Sequence, residues 1–132
     1  PSFVKEEEAE TILALMQQSF EPYTSALPDL DTLRQDIREK RVLAAREGEK
    51  LLGFLRFGRE KKVSVLWQIA VAPDGRGKGI GSGLVQDWLV IERDEAAKFQ
   101  LWVREDNPSA LRMYEASGFL PDGRIAPVMM KK

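Results

Sequence analysis

The sequence predicts a mixed α+β fold in which one mostly antiparallel sheet is flanked by about four helices. Strand-like segments follow one another across short polar turns, and other segments carry apolar residues at helical spacing. In the second half of the chain, helical and strand-like segments alternate. At 132 residues the chain has room for one hydrophobic core, so we expect a single domain over residues 1–132.

Two helices are expected in the first third of the chain. The segment EEEAETILALMQQSF has apolar residues at helical spacing and glutamates in its first turn, where negative charge favours the helix dipole. This pattern predicts a helix from Lys5 to Phe20. After a loop with two prolines, DTLRQDIREK predicts a short second helix, for which Asp31 is the expected N-cap.

Three antiparallel strands are expected next, in RVLAARE, KLLGFLRFG and KKVSVLWQIAV, with polar turns around Gly48 and Glu60. Strict alternation in the third strand divides its residues between two faces. One face is expected to lie in the core, and the smaller and more polar one is expected to form the wall of a cleft. The core set is Val63, Val65, Trp67, Ile69 and Val71, and the cleft set is Ser64, Leu66, Gln68 and Ala70.

In the second half of the chain we expect a helix, a strand, another helix and a closing hairpin. The third helix opens at the glycine stretch PDGRGKGIGSGL, and KFQLWVRE reads as a strand. The segment DNPSALRMYEASGF predicts a fourth helix with Asn107 as N-cap, Pro108 in its first turn and Gly118 just beyond its end. A hairpin is expected around Asp122-Gly123, and Pro127 favours an edge or a bulge there.

The composition excludes several kinds of chemistry. The chain has no Cys and no His, so a thiol nucleophile, an imidazole base and the commonest zinc ligands are impossible, and we expect no metal. A net charge of −1 offers no broad positive field for nucleic acid. The sequence has no apolar run long enough to span a bilayer and an acidic start unlike a secretory signal, so a cytoplasmic protein without membrane partners is expected.

The glycine stretch follows a strand and opens a helix, an arrangement in which unpaired backbone amides and the helix dipole attract anions. A simpler interpretation is a tight turn that needs glycine for positive φ. The stretch lacks the Ser or Thr after Gly-Lys that a P-loop requires, and Ser82 stands where the third glycine of G-x-G-x-x-G belongs. Both of these nucleotide-binding motifs are therefore disfavoured.

Two motifs resemble the GNAT superfamily of N-acyltransferases. R-x-x-G-x-G, spanning residues 76–81, follows Val71-Ala72-Pro73 and is similar to the family's pyrophosphate-binding signature. The second motif, N-x-x-A-x-x-x-Y-x-x-x-G-F, spans residues 107–119. The order of elements also fits, with SFVK as a short first strand, so the resemblance covers nearly the whole chain. It implies that the middle strands of the sheet splay apart.

The resemblance further implies an acetyl-CoA cosubstrate and names the residues that would bind it. The pyrophosphate would rest on the backbone amides of the glycine loop, and the pantetheine arm would follow the third strand of the meander through main-chain hydrogen bonds. For Lys78, an ordinary solvated position is an equal alternative. The implied cofactor-binding residues are Ile69, Ala70, Val71, Arg76, Gly77, Lys78, Gly79, Ile80, Gly81, Ser82 and Asn107.

The chemistry implied is direct attack of an amine on the thioester, since no cysteine is available. The resemblance makes Tyr114 the general acid for the leaving thiolate, whereas without it Tyr114 would read as a packing residue. Gln68 is the expected polar group of the cleft, but as an amide it cannot act as a base. Glu21, Tyr23 and Glu105 are candidate bases by elimination only.

The acceptor amine stays open at this point. By family analogy the loop FEPYTSALPDLD lines the acceptor side, where Glu21, Asp29 and Asp31 would suit a cationic amine, although these acids also suit caps and turns. Small amines, antibiotics, polyamines and peptide N-termini all fit. An alternative to an enzyme is a non-catalytic acyl-CoA-binding or regulatory module on the same fold. A monomer or a homodimer is expected.

Overall fold

The sheet has seven strands in the part of the chain that the computed structural model describes, namely residues 2–19, 27–103, 107–121 and 128–131. They are β1 (Ser2–Phe3), β2 (Val42–Glu47), β3 (Lys50–Glu60), β4 (Val63–Val71), β5 (Lys98–Trp102), β6 (Leu120–Pro121) and β7 (Val128–Lys131). Their order across the sheet is β1-β2-β3-β4-β5-β7-β6. All neighbours are antiparallel except β4 and β5. The predicted mixed α+β architecture is confirmed.

Four α-helices flank this sheet: α1 (Ala9–Ser19), α2 (Leu30–Arg38), α3 (Ile80–Glu92) and α4 (Pro108–Ala116). Short 3-10 turns at Glu6–Glu8 and Pro73–Gly75 precede α1 and α3. Within the described residues, no helix is both long enough and apolar enough to cross a membrane.

The helix ends correct two predictions and confirm a third. The predicted first helix begins as the 3-10 turn, becomes α-helical only at Ala9, and its expected end at Phe20 lies outside the described residues. Asp29, not Asp31, caps α2, because its side chain accepts a hydrogen bond of 2.8 Å from the Thr32 amide. Asn107 caps α4 as predicted, through a bond of 3.2 Å from the Ala110 amide.

The predicted meander of β2, β3 and β4 is confirmed, as is the strand after α3, which the structure shows to pair with β4 in parallel. The predicted closing hairpin corresponds to the antiparallel pair β6 and β7. Its expected turn at Asp122-Gly123 lies outside the described residues, and so does Pro127.

A β-bulge in β4 makes the predicted alternation of its faces wrong. Gln68 pairs with Arg56 and Leu66 pairs with Phe57, so Trp67 is an extra residue with no partner on β3. Such an insertion shifts the alternation by one residue. Leu66 packs under α3, whereas Gln68 and Ala70 lie on the face that α1 and α2 cover.

Two apolar cores lie on the two faces of the sheet. The α1/α2 core packs Ile12, Met16, Leu33 and Phe54 together, all of them fully buried. The α3/α4 core is built around Trp88, whose ring contacts Phe99 edge to face at 5.2 Å and stacks with Phe119 at 5.9 Å. Burial on both sides explains why β3 is apolar over most of its length.

A buried polar cluster fastens the end of α3 to the sheet. The Glu92 carboxylate accepts two bonds from Arg59, at 3.2 and 2.6 Å, and a third of 2.9 Å from the Ser64 hydroxyl. The Trp88 indole N–H donates to the same hydroxyl at 2.9 Å. Glu92 is only 3% exposed, so its charge depends on these donors in place of water.

We expect Glu92→Gln to lower the free energy of unfolding by about 2–4 kcal/mol, because it leaves Arg59 without its closest counter-charge in a partly buried place. Glu95→Gln is the matched control, since Glu95 lies 3.7 Å from the same arginine but its side chain is well exposed. It should cost less than about 0.5 kcal/mol. Urea unfolding measures both, and equal losses would contradict the role given to Glu92.

Candidate functional site

The candidate site begins where β4 and β5 part. The two strands pair in register only from Val63 to Leu66 of β4, opposite Lys98 to Leu101 of β5. Beyond Leu66, β4 runs on for five residues, and of these the four from Gln68 to Val71 pair with β3. The predicted splayed middle strands are therefore confirmed, and among the described residues no strand pairs with the β5 side of β4 from Trp67 to Val71, which we call the open edge.

The backbone groups on this open edge belong to two of the predicted residues. The Ala72 amide donates to the Leu52 carbonyl on the β3 side at 2.7 Å. Because backbone groups alternate in direction along a strand, Ala70 also points its amide and carbonyl toward β3. Ile69 and Val71 then point theirs toward the open edge, where an extended ligand could pair with them.

The glycine loop lies directly beyond this edge. Gly77 and Gly79 have φ angles of +77° and +73°, which favour glycine, and Gly79 is the N-cap of α3. Both are exposed, and a Cβ built on either would meet nothing within 4 Å. The first amides of α3 have no acceptor within the helix, so this end of α3 offers donors beneath open space. Ile80, Gly81 and Ser82 form the first turn of the helix.

The two lysines beside the loop, Lys50 and Lys78, already take part in ion pairs. Lys78 is exposed and contacts Glu47 at 3.2 Å, as its solvated interpretation suggested. Lys50 pairs with Asp74, and this contact lowers the pKa of the Asp74 carboxyl. Arg76 is exposed at the end of the 3-10 turn. Anion binding here would rest mainly on backbone amides and the dipole of α3.

Tyr114 lies in the α3/α4 core and is 4% exposed. Its ring meets Phe119 edge to face, with centroids 6.1 Å apart. The same core includes Leu66 and Leu101, the last residues paired between β4 and β5 in the described part of the chain. Burial raises the pKa of its hydroxyl to about 12. The phenol is thus a weaker acid than a thiol, whose ordinary pKa is about 8.5.

Gln68 is buried beneath α2, so the predicted wall of a cleft is wrong for this side chain. Its Oε1 accepts a 2.8 Å hydrogen bond from Arg56, whose Nε donates to Asp36 at 2.7 Å. The bulge at Trp67 is the physical reason, because it turns Gln68 toward α2. Sequence reasoning missed Arg56 and Asp36, although a lone arginine inside the apolar strand LLGFLRFG was a signal that a partner must exist.

The remaining predicted residues are distributed as follows. Asn107 uses its side-chain oxygen to cap α4, which is its observed role. Asp29 is a helix cap, as the alternative to an acceptor-binding role allowed, whereas Asp31 lies inside the first turn of α2 and is not its N-cap. The three candidate bases, Glu21, Tyr23 and Glu105, lie outside the described residues.

Comparison with known proteins identifies relatives of this chain. The sequence model of the acetyltransferase (GNAT) family matches residues 9–119. S-(2-succino)cysteine N-acetyltransferase of Bacillus subtilis is 29% identical over 136 residues, covering 89% of this chain and 82% of that protein. Mycothiol acetyltransferase of Rhodococcus jostii is 34% identical over 85 residues, 59% of this chain and 28% of that protein. The chain thus spans most of one relative and under a third of the other.

Solved structures share the fold at low identity. Ard1 from Thermoplasma volcanium has a TM-score of 0.82 at 19% identity, covering 98% of this chain and 93% of that chain. The yncA protein from Salmonella typhimurium, solved with its cofactor acetyl-CoA, has a TM-score of 0.80 at 18% identity, covering 98% and 91%. Similarity at this level establishes the architecture.

The raised pKa of Tyr114 predicts a pH dependence of stability. When folding raises the pKa of an acid, the folded state favours the protonated form. The contribution of this acid to the free energy of unfolding is therefore complete below the unfolded pKa value near 10. It is lost as the pH rises from about 10 toward 12. Tyr114→Phe should remove this part of the alkaline loss, measured by urea unfolding at several pH values. If the free energy of unfolding fell with pH as steeply in the variant as in the parent, the raised pKa assigned to Tyr114 would be contradicted.

Proposed function

The chain belongs to the acetyltransferase (GNAT) family, and we propose that it moves the acetyl group of acetyl-CoA to a primary amine of a small molecule or peptide. The observation that carries the proposal is the open edge of β4 directly before a loop of exposed glycines at the start of α3. Two relatives named as acetyltransferases and a structural neighbour solved with acetyl-CoA support it.

The glycine loop fits a pyrophosphate. Open space above Gly77 and Gly79 lets phosphate oxygens approach the backbone, which side chains at these positions would block. The amides at the start of α3 would donate to these oxygens, while Arg76 and Ser82 are close enough in sequence to add side-chain contacts. Lys78 would contribute modestly, because its ammonium already has a carboxylate partner in Glu47.

The open edge of β4 fits the pantetheine arm. An arm with amide groups can add to an unpaired strand edge as a further strand would, through the amides and carbonyls of Ile69 and Val71. Side-chain identity would matter little in such binding. The same edge supplies an N–H group for the carbonyl oxygen of the thioester, whose negative charge grows during attack.

Acetyl-CoA supplies the acetyl group as an activated thioester. In direct transfer the amine nitrogen bonds to the carbonyl carbon, the carbon–sulfur bond breaks, the nitrogen loses a proton and the sulfur gains one. The chain contains no cysteine to carry the acetyl group, which favours this route. We assign the proton at sulfur to Tyr114, and its pKa of about 12 means that donation must accompany bond breaking.

We expect Gly79→Val to weaken acetyl-CoA binding by at least roughly tenfold, because a branched side chain would stand where the phosphate meets the backbone. The change also strains the backbone, since Gly79 has positive φ. Gly48→Val is the matched control: Gly48 has a φ of +63° and equally open space, but lies in the turn between β2 and β3. Calorimetric titration of both folded variants with acetyl-CoA measures the two affinities. Parental affinity in Gly79→Val would exclude the loop as the phosphate site.

We expect the parent to release CoA from acetyl-CoA in the presence of an amine, and Tyr114→Phe to lower kcat by roughly 100-fold or more with little change in acetyl-CoA affinity. Phenylalanine keeps the ring against Phe119, so packing is preserved. A thiol assay at saturating amine gives kcat, and calorimetry gives affinity. Binding without release across a broad amine panel would indicate a non-catalytic acyl-CoA module. Parental kcat in the variant would leave Tyr114 a packing residue.

A further inference from the structure

Two exposed tryptophans flank the point where β4 and β5 part. Val65 and Leu66 pair with Gln100 and Leu101, so the next residue on each strand is a tryptophan, Trp67 or Trp102. Trp67 is 40% exposed and Trp102 is 54% exposed, which is unusual for such large apolar side chains.

Both tryptophans lie on the α1/α2 face of the sheet. Leu101 and Val103 pack in the α3/α4 core, so Trp102 between them points to the opposite face. Trp67, the bulged residue, contacts Arg56, which faces α2 through Asp36. We call this pair the tryptophan face.

The side chain of Trp67 is held in place from two sides. Its ring lies over Gly58 so closely that a Cβ on that residue would clash with the ring carbons. The Arg56 guanidinium carbon lies 4.5 Å from the ring centroid, a cation–π contact. Glycine at position 58 therefore makes room for a preorganised aromatic surface, and a ligand that packs on it loses little side-chain entropy.

Among the residues that the structure describes, the charge in contact with Trp67 is that of Arg56, and it is already balanced. Arg56 is 6% exposed and its guanidinium is paired with the Asp36 carboxylate at 2.7 Å. It therefore offers little net charge to a carboxylate on a ligand. A second ammonium would find the Trp67 ring already occupied by a cation and the Asp36 carboxylate already neutralised.

We propose that the tryptophan face binds the substituent of the acceptor, and that the acceptor is a primary monoamine with an apolar group. The inference rests on the proposed acetyl transfer, which requires the amine to reach the thioester where β4 and β5 part. From that point the tryptophan face is the adjoining surface on the α1/α2 side. Trp67 and Trp102 determine specificity, and the amine nitrogen lies toward the open edge of β4.

The test compares pentylamine with cadaverine, which has the same carbon chain and a second ammonium at its far end. We expect kcat/KM for pentylamine to exceed that for cadaverine by roughly tenfold or more, mainly through KM. Trp102→Ala should reduce this preference at least several-fold while acetyl-CoA affinity stays parental. Because Trp102 is more than half exposed, the variant should fold. Trp67→Phe, which keeps an aromatic ring over Gly58, gives a second, milder variant.

Val90→Ala is the matched control, since Val90 is 51% exposed on α3 and lies away from the parting of the strands. It should keep the parental preference. Equal or better use of cadaverine, or a parental preference in Trp102→Ala, would overturn the monoamine proposal and leave acetyl transfer standing. Bound acetyl-CoA with no turnover of any amine would overturn acetyl transfer itself, and the acceptor proposal with it.

Discussion

The arrangement of the candidate site depends on one constraint: in the part of the chain that the structure describes, β4 is paired with strands on both sides only as far as Leu66. Unpaired backbone groups inside a protein are costly, so an open strand edge persists only where something else satisfies it. Here the open stretch leads directly to the glycine loop and the first turn of α3. Strand edge, glycine loop and helix end therefore follow one another along the chain, with a short 3-10 turn between the edge and the loop, and together they suit a long ligand with amide and phosphate groups.

The bulge at Trp67 determines which face of the sheet is occupied by the residues of β4 before and after it. It lets Leu66 pack under α3 while Gln68 and Ala70, two and four residues later, pack under α1 and α2. Without it, a glutamine would point into the α3/α4 core with no polar partner. With it, the glutamine joins Arg56 and Asp36, and a tryptophan is displayed at the surface instead. A single inserted residue thus positions both a buried polar cluster and an exposed aromatic surface.

Each face of the sheet is fastened by a buried ion pair from a helix to β3. Asp36 of α2 meets Arg56 on one face, and Glu92 of α3 meets Arg59 on the other. Both arginines are also connected to a polar residue of β4. Arg56 donates directly to Gln68, and Arg59 is connected to Ser64 through the Glu92 carboxylate. Because ion pairs of this kind hold geometry more than they add stability, their contribution is to fix β3 and β4 against the helices on the two faces of the sheet.

The sequence by itself determined the order of the elements, the glycine loop and both ends of α4, because these depend on local spacing, on φ preference and on capping by Asn107. The two motifs also pointed to the family that the comparisons identified. The faces of β4 were decided only by tertiary structure, since a bulge depends on how β3 pairs with its neighbour. The same is true of the burial of Gln68, whereas the packing of Tyr114 was already an alternative that the sequence offered. Burial depends on which surfaces meet across the sheet, and such long-range contacts leave no local pattern in the chain.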